Sequence, residues 1–501
     1  MLLLYLGFLL VAYILYHTWW KRRGLPPGPT PLPFLGNALE IAKYPCTEEA
    51  LKTWQKIYGD VFTFWSGERP IVAVCDYDKM VHYFVKNGEL FQDRPDDSNY
   101  MNFVGRGCHG VIHLSGDYWK NQRRFLLHAL RDFGLGKDLM EQRIVEECED
   151  LFVKIQKTLS KSSSDIDLPN FIDVAIGSII NNLLFGYRYT EDKLYEFDDL
   201  KQRVKQYVTA SGQPAALICR SNPQFYENLP YFKEKLQLVR KLDVHLVDFF
   251  KVRILEHVED LKNEDMASFT PTDIVACYLK EKRKREVDGE DAYFTDEQLV
   301  GLSFDVWVAG QETTANTLGW AFAFMIHNQD AQKKVQEELD AVIGSDRVIT
   351  TADRPQLPYL QAVCNETQRL ANIVPTNVVH ATSQNVEVDG YMLKKGTTIT
   401  PLLCSVLSNE KYFPEPQKFK PERFLDDDGK LKKVDENIPF SLGKRQCLGE
   451  GLARMEIFLV LANILNRYKV LPGAELPSLE RTRGFTVSPK PYKCKLQPRH
   501  L

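Results

Sequence analysis

The 501-residue chain predicts a mainly α-helical body with a small β portion, folded as one large unit. Three observations predict it. Beyond Ser115, apolar residues recur at helical spacing in one segment after another. The alternation that marks strands is confined to residues 61–74, around a turn at Gly67, and to the neighbourhood of 386–400. Hydrophobic residues make up 44% of the chain, enough for a large core. Length alone allows about three domains at roughly 150 residues each, yet no Gly/Ser linker or repeat divides the sequence. The net charge of −4 gives no reason to expect nucleic acid, whose partners are usually basic. Of ten cysteines the closest two stand 29 positions apart, so no CxxC metal or redox pair exists and a reduced, cytosolic compartment fits best.

Residues 2–20 are almost all apolar, with His17 the only strongly polar one. As a helix they span about 28 Å, close to the roughly 30 Å hydrocarbon core of a bilayer. Trp19 and Trp20 suit an interface, and Lys21-Arg22-Arg23 suits its cytosolic side, leaving the N-terminus translocated. A cleaved secretory signal is the competing reading, but its basic residues would precede the apolar core, and no A-x-A site follows. Residues 1–23 are therefore read as a single-pass anchor with a basic stop. Prolines at 26, 27, 29, 31 and 33 exclude helix and make residues 24–36 a stiff, extended hinge. A ligand for a proline-binding module is the alternative. Residues 37–501 form the remaining body.

Helical spacing places amphipathic segments at 117–130, 137–160, 171–185, 193–208, 232–261 and 273–285. Within the first, Trp119 and Arg123 stand at i and i+4, so an indole N–H and a guanidinium share one face and suit a carboxylate. Residues 294–328 contain no proline and predict one helix of roughly 50 Å that crosses the body. Its middle reads Ala309-Gly310-Gln311-Glu312-Thr313-Thr314. Gly310 leaves room beside the helix, and the Thr313 hydroxyl can turn back to the Ala309 carbonyl, which tends to open or bend a helix. A hydroxyl beside a carboxylate in such a notch suits proton delivery; the plainer alternative is a bent core helix. Glu366 and Arg369 face each other at i and i+3, with Arg423 downstream. The segment from 214 to 232 mixes prolines with Leu217, Ile218, Phe225, Tyr226, Leu229 and Tyr231, and reads as a stretch dipping into the membrane or as a packed loop.

The last informative stretch is Phe440-Ser-Leu-Gly443-Lys-Arg445-Gln-Cys447-Leu-Gly449. Gly443 and Gly449 allow tight turns and close approach to a flat ligand. Arg445, two residues before the thiol, favours thiolate, the form that ligates metal. Apolar residues at helical spacing over 452–470 put Cys447 just before a helix N-terminus, whose dipole favours an anionic sulfur. A buried, inert cysteine is the alternative.

This loop resembles the haem-binding loop of the cytochromes P-450, with the phenylalanine, both glycines, the arginine and the cysteine in place. The resemblance extends from the apolar N-terminus to the last strands. It implies the cytochrome P-450 fold and haem b with Cys447 as proximal ligand. It implies Thr313 and Glu312 as the proton-delivering pair, and Trp119, Arg123 and Arg445 as propionate partners, with Arg94 and His380 as further ones. Ala309, Gly310, Phe440, Gly443 and Gly449 complete the cofactor-binding set by the same likeness, and Glu366, Arg369 and Arg423 match a buried structural triad. Around Pro439-Phe440 and residues 375–380 the sequence most resembles the animal microsomal branch that handles drugs, steroids and fatty acids. That implies insertion of one atom of O2 into a lipophilic substrate at the endoplasmic reticulum membrane, with the catalytic body cytosolic. Electrons would come from NADPH through a membrane-bound flavin reductase, with cytochrome b5 as a second donor. Lys120, Arg124, Lys432, Lys433 and Lys444 are the candidate docking cations, and Cys108, Val111, Val306, Ala309, Val374, Val378 and Phe485 the candidate substrate contacts. Two other readings stay open: a haem-thiolate isomerase or hydroperoxide rearrangase, and a non-catalytic haem-binding protein.

Overall fold

The computed structural model describes residues 1–133, 138–161, 165–262, 268–289, 291–482 and 484–500. The expected segments appear as helices Gly116–Asp132, Asp138–Lys161, Leu168–Phe185, Leu194–Ser211, Pro230–Asp260 and Ile274–Asp288. Lys137, the expected start of the second, lies outside the described residues. The predicted crossing helix runs unbroken from Asp296 to His327. It is buried over most of its length and packs most extensively against Leu168–Phe185. Thr295 caps it, its hydroxyl accepting from the Gln298 N–H at 3.2 Å, and Asp296 and Glu297 complement the dipole in its first turn.

Two strands flank the predicted Gly67 turn: β1 (Val61–Ser66) and β2 (Arg69–Val74), antiparallel with Val61 opposite Val74. Strands β3 (His380–Ala381), β4 (Val386–Val388), β5 (Tyr391–Leu393) and β6 (Thr398–Pro401) occupy the later region. The principal sheet has the order β1-β2-β6-β3, with β2 and β6 parallel. Because β3 ends that sheet, Ala381 N–H reaches the Asp93 carbonyl at 2.7 Å, which brings Arg94 and His380 into one neighbourhood.

At the N-terminus, Leu2–Thr18 is helical, about 26 Å long. It exposes apolar side chains from Leu4 to Tyr16. Leu168–Phe185 is comparably long and apolar but 67% buried, a core helix. The proline-rich stretch packs against the body. Its Pro27 carbonyl accepts from Thr63 N–H at 2.8 Å, and a Cβ on Gly28 would fall 1.8 Å from the Thr63 carbonyl. The stretch thus lies against β1, and at Pro27, which has no N–H, it meets that strand with an acceptor. His17 and Lys21 both meet Glu68 in the turn between β1 and β2.

Three differences from the sequence reading have local causes. The terminal helix is Glu450–Arg467, and residues 468–470 belong instead to β7 (Tyr468–Pro472), paired with β8 (Cys494–Pro498). There burial alternates, with Tyr468 and Val470 inside and Lys469 outside, a period-two pattern too short to read alone. The segment from 214 to 232 folds into helices Pro214–Cys219 and Pro223–Tyr226 and the start of the long Pro230–Asp260, each opened by proline at its first turn. Helices Thr47–Tyr58, Ser98–Val104 and Gln329–Val342 were not anticipated at all.

Candidate active site

The cysteine loop is closed by its own backbone: Cys447 N–H donates to Phe440 O at 3.0 Å, and Gln446 N–H to Gly443 O at 3.1 Å. Gly443 has φ +76, and a Cβ there would lie 1.9 Å from the Phe84 carbonyl oxygen. Its freedom therefore lets residues 84–85 approach the loop, rather than a ligand. Gly449 is different; a Cβ would find only Cys447 Sγ, at 3.9 Å. Phe440 packs beneath the Arg454 guanidinium, 4.9 Å from its ring centroid.

Cys447 is accessible, yet protein surrounds it densely enough that burial pushes its thiol up from the ordinary value. Accessible and enclosed together describe the floor of an internal space. The backbone N–H groups of Gly449 and Glu450 and the Arg123 guanidinium oppose that rise, while Glu450 adds to it. The sequence assigned the activating cation to Arg445, and the structure corrects this. Arg445 turns away, donating from Nε to Gln92 O at 2.6 Å and from Nη2 to Leu114 O at 2.5 Å. Arg123 is the cation that the sulfur feels, held by Nη2 donating to Gln446 O at 2.7 Å.

Trp119, Arg123, Arg94 and Arg445 do converge. The Arg445 guanidinium lies 3.7 Å from the Trp119 ring centroid, with Arg123 at 5.9 Å. Arg94 donates to the carbonyls of Ile112, Val378 and Val379 at 2.8 to 3.0 Å. Among the described residues, no carboxylate forms an ion pair with Arg94, Arg123 or Arg445. Burial, and then the repulsion of Arg123, pulls Arg94 down to about 9; burial, and then Arg94, pulls Arg445 down to about 8. Asp93 offsets this only in part, and three neighbouring guanidiniums with no ion-paired carboxylate call for an anionic group. The two carboxylates of haem b, beside an accessible thiol, fit that demand.

His380 departs from the expectation of an anion donor. Its Nδ1 is 2.8 Å from Phe91 O, so the proton sits there, and burial with Arg94 holds the ring neutral, leaving Nε2 an acceptor. On the crossing helix, Thr313 Oγ1 donates to Ala309 O at 2.7 Å as anticipated, and Thr317 Oγ1 to Thr313 O at 2.8 Å. The helix nevertheless remains continuous, so the back-bonds do not break it. Ala309 is exposed in the middle of this otherwise buried helix, which marks open space beside it. Gly310 faces elsewhere: a Cβ would meet Ile180 at 2.7 Å, so its missing side chain serves helix packing. Glu312 accepts from Thr486 Oγ1 at 2.8 Å, and burial raises its carboxyl above the usual range. Thr486 was not singled out, since 174 residues separate the two.

Of the candidate substrate contacts, Val111 is buried in the core, whereas Cys108, Val306, Val374 and Val378 are half-buried and Phe485 is exposed. The structural triad is assembled as expected. Arg369 donates from Nε and Nη2 to both Glu366 oxygens at 2.7 and 2.9 Å, and Arg423 Nε donates to Oε1 at 3.1 Å.

Comparison with known proteins agrees with this geometry. The cytochrome P-450 family profile matches residues 26–496. Cytochrome P-450 2C8 of Homo sapiens is 36% identical over 501 residues, covering 99% of both chains. Cytochrome P-450 2C28 of Mesocricetus auratus is 35% identical over 98% of both, and cytochrome P-450 2K1 of Oncorhynchus mykiss 37% identical over 93% of this chain and 90% of its own. A likeness that holds from end to end, over a chain whose exposed Cys447 lies near Arg123, makes this protein a member of the cytochrome P-450 family, a haem-binding monooxygenase.

Proposed function

We propose that this enzyme hydroxylates or epoxidises a lipophilic substrate of the fatty acid or eicosanoid, steroid or xenobiotic classes at the endoplasmic reticulum membrane. Residues 1–23 serve as the anchor, 24–36 as the hinge and 37–501 as the cytosolic catalytic unit. The observation that carries the reading is the convergence of Arg94, Arg123 and Arg445 on the side of Trp119, with no ion-paired carboxylate among the described residues.

Haem b would be held there by the Cys447 sulfur and would supply the oxygen activation. Trp119, Arg123, Arg94 and Arg445 would hold its carboxylates. Gly449 and Glu450 N–H groups direct hydrogen bonds at the sulfur and moderate its basicity. Thr313 holds its hydroxyl proton on Ala309 O, ready to turn it toward the open side. Glu312, kept protonated more readily by burial, resupplies that hydroxyl, and Thr486 positions its carboxyl. The apolar half-buried residues Val306 and Val378 give the substrate little to hydrogen-bond and exclude water.

Electrons come from NADPH through the flavin reductase, with cytochrome b5 as a second donor. Exposed Lys120, Arg124, Lys432, Lys433 and Lys444 supply docking charge for the reductase. The test is reconstitution with reductase against a panel of fatty acids, steroids and drugs. Product should require NADPH, and the reduced protein should give a thiolate-type carbon monoxide band that Cys447→Ser abolishes. Turnover of a lipid hydroperoxide without reductase, in place of NADPH-dependent oxidation, would overturn the proposal.

A further inference from the structure

One bulky residue of the hinge holds a backbone conformation that favours glycine. Phe34 has φ +61, at the tip of a loop that residues 32 and 36 close on each other: Leu32 N–H donates to Gly36 O at 2.8 Å, and Gly36 N–H to Leu32 O at 2.9 Å. For an aromatic residue this is a strained outlier, kept only where the surroundings over-determine it. They do so here. Phe34 N–H donates to Glu68 Oε1 at 2.7 Å. The loop is also pinned to β1, because Gly36 bridges to Ser66, Asn37 N–H donates to Trp65 O at 3.0 Å, and Trp65 N–H donates to Asn37 Oδ1 at 2.8 Å.

The strain presents the Phe34 ring to two separate elements. On one side its centroid lies 5.9 Å from that of Tyr13 and 6.4 Å from that of His17, both on the anchor helix. On the other it stacks on Phe225 of helix Pro223–Tyr226, 5.8 Å away and 13° from parallel. Glu68 makes a parallel join with charge. Its Oε2 pairs with Lys21 and lies 3.5 Å from His17 Nδ1, and the Lys21 ammonium also stands 4.7 Å from the Trp65 ring centroid. The Lys21 and Glu68 side chains are 19% and 27% exposed, so salt screens the pair less than one in free solvent. Arg22 adds bonds to Gly28 O at 2.6 Å and Thr30 Oγ1 at 3.0 Å. The cytosolic end of the anchor is thereby folded onto the hinge and the turn between β1 and β2.

Prolines stiffen a segment without fixing the dihedrals that lead into it. The Phe34 ring and the three groups that converge on Glu68, namely Phe34 N–H, His17 and Lys21, supply that fixation. We infer that Phe34 and Glu68 form an intramolecular latch that docks the anchor helix on the catalytic body. The latch sets the tilt of the body on the bilayer and, through the Phe34–Phe225 stack, the height of helix Pro223–Tyr226 above it. This rests on the anchor reading above.

Full-length, haem-loaded protein in lipid nanodiscs, treated with an arginine-specific protease that can cut after Arg22 and Arg23, tests it. Glu68→Lys should speed the appearance of the shortened chain about tenfold. Phe34→Gly, which keeps the backbone conformation without strain and removes only the ring, should speed it about threefold. Combining Glu68→Lys with Lys21→Glu should restore the slow rate, which damage to the fold would not allow. In oriented bilayers the haem of Glu68→Lys should lose linear dichroism as the tilt of the body spreads. Equal cleavage of wild type and Glu68→Lys, a double variant cut as fast as Glu68→Lys, or undiminished dichroism in Glu68→Lys would overturn the latch and leave the tilt to proline stiffness. The cleavage ratio measured in detergent micelles reads the latch without a bilayer, whereas flotation of wild type with liposomes reads the anchor, so the two fail separately.

Discussion

The two glycines of the cysteine loop should respond in opposite ways to the same added methyl group. At Gly443, alanine would have to adopt φ +76 and place its Cβ 1.9 Å from Phe84 O and 2.7 Å from Phe84 C. The obstacle is backbone, so no side chain can swing aside. A left-handed non-glycine residue costs about 1–2 kcal/mol, and forcing packed groups apart adds about 1–3 kcal/mol. The sum, about 2–5 kcal/mol, falls on the loop that carries Cys447. At Gly449, φ is −89, the nearest atom is 3.9 Å away, and the change amounts to a poorer helix N-cap, under about 1 kcal/mol. Thermal unfolding of the haem-loaded protein, with the fraction of haem retained after gel filtration, separates the two. Gly443→Ala should lose several degrees of Tm and much of its haem, and Gly449→Ala little of either. Equal damage from both, or greater damage from Gly449→Ala, would refute the assignment of Gly443 to backbone contact.

Glu366→Gln should lower stability in denaturant by about 3–5 kcal/mol, because Arg369 would be left without its carboxylate at a site that is 0% exposed. Thr313→Ala should leave substrate binding unchanged and cut product formed per NADPH by about tenfold or more, measured beside hydrogen peroxide release. Burial pulls the His257 imidazole down, but Asp273 at 3.1 Å and Asp260 outweigh it, so the folded value is raised. The stability it contributes is therefore full below the unfolded value of about 6.5 and lost as pH rises through the folded one. The Tm difference between wild type and His257→Gln should accordingly shrink on going from pH 6 to pH 8.

Relations set by helical periodicity were legible in the sequence. The shared face of Trp119 and Arg123, the Thr313 back-bond to Ala309 and the Glu366–Arg369 pair each follow from spacings of three or four residues on one helix. Relations between distant segments were not. Arg445 sits two positions from Cys447, yet its guanidinium is claimed by carbonyls at 92 and 114. The room at Gly310 is taken by Ile180, and the partner of Glu312 is Thr486.

The unbalanced arginines also bear on how the enzyme is assembled. Arg94 and Arg123 emerge early from the ribosome and Cys447 near residue 450 of 501, so nearly the whole polypeptide exists before the prosthetic group can be gripped. Until then, the mutual repulsion of Arg94, Arg123 and Arg445 is relieved only in part. A tightly bound dianion supplies the missing stability, about 4 kcal/mol at a concentration a thousandfold above its Kd. Unloaded chains should then unfold at lower temperature than loaded ones.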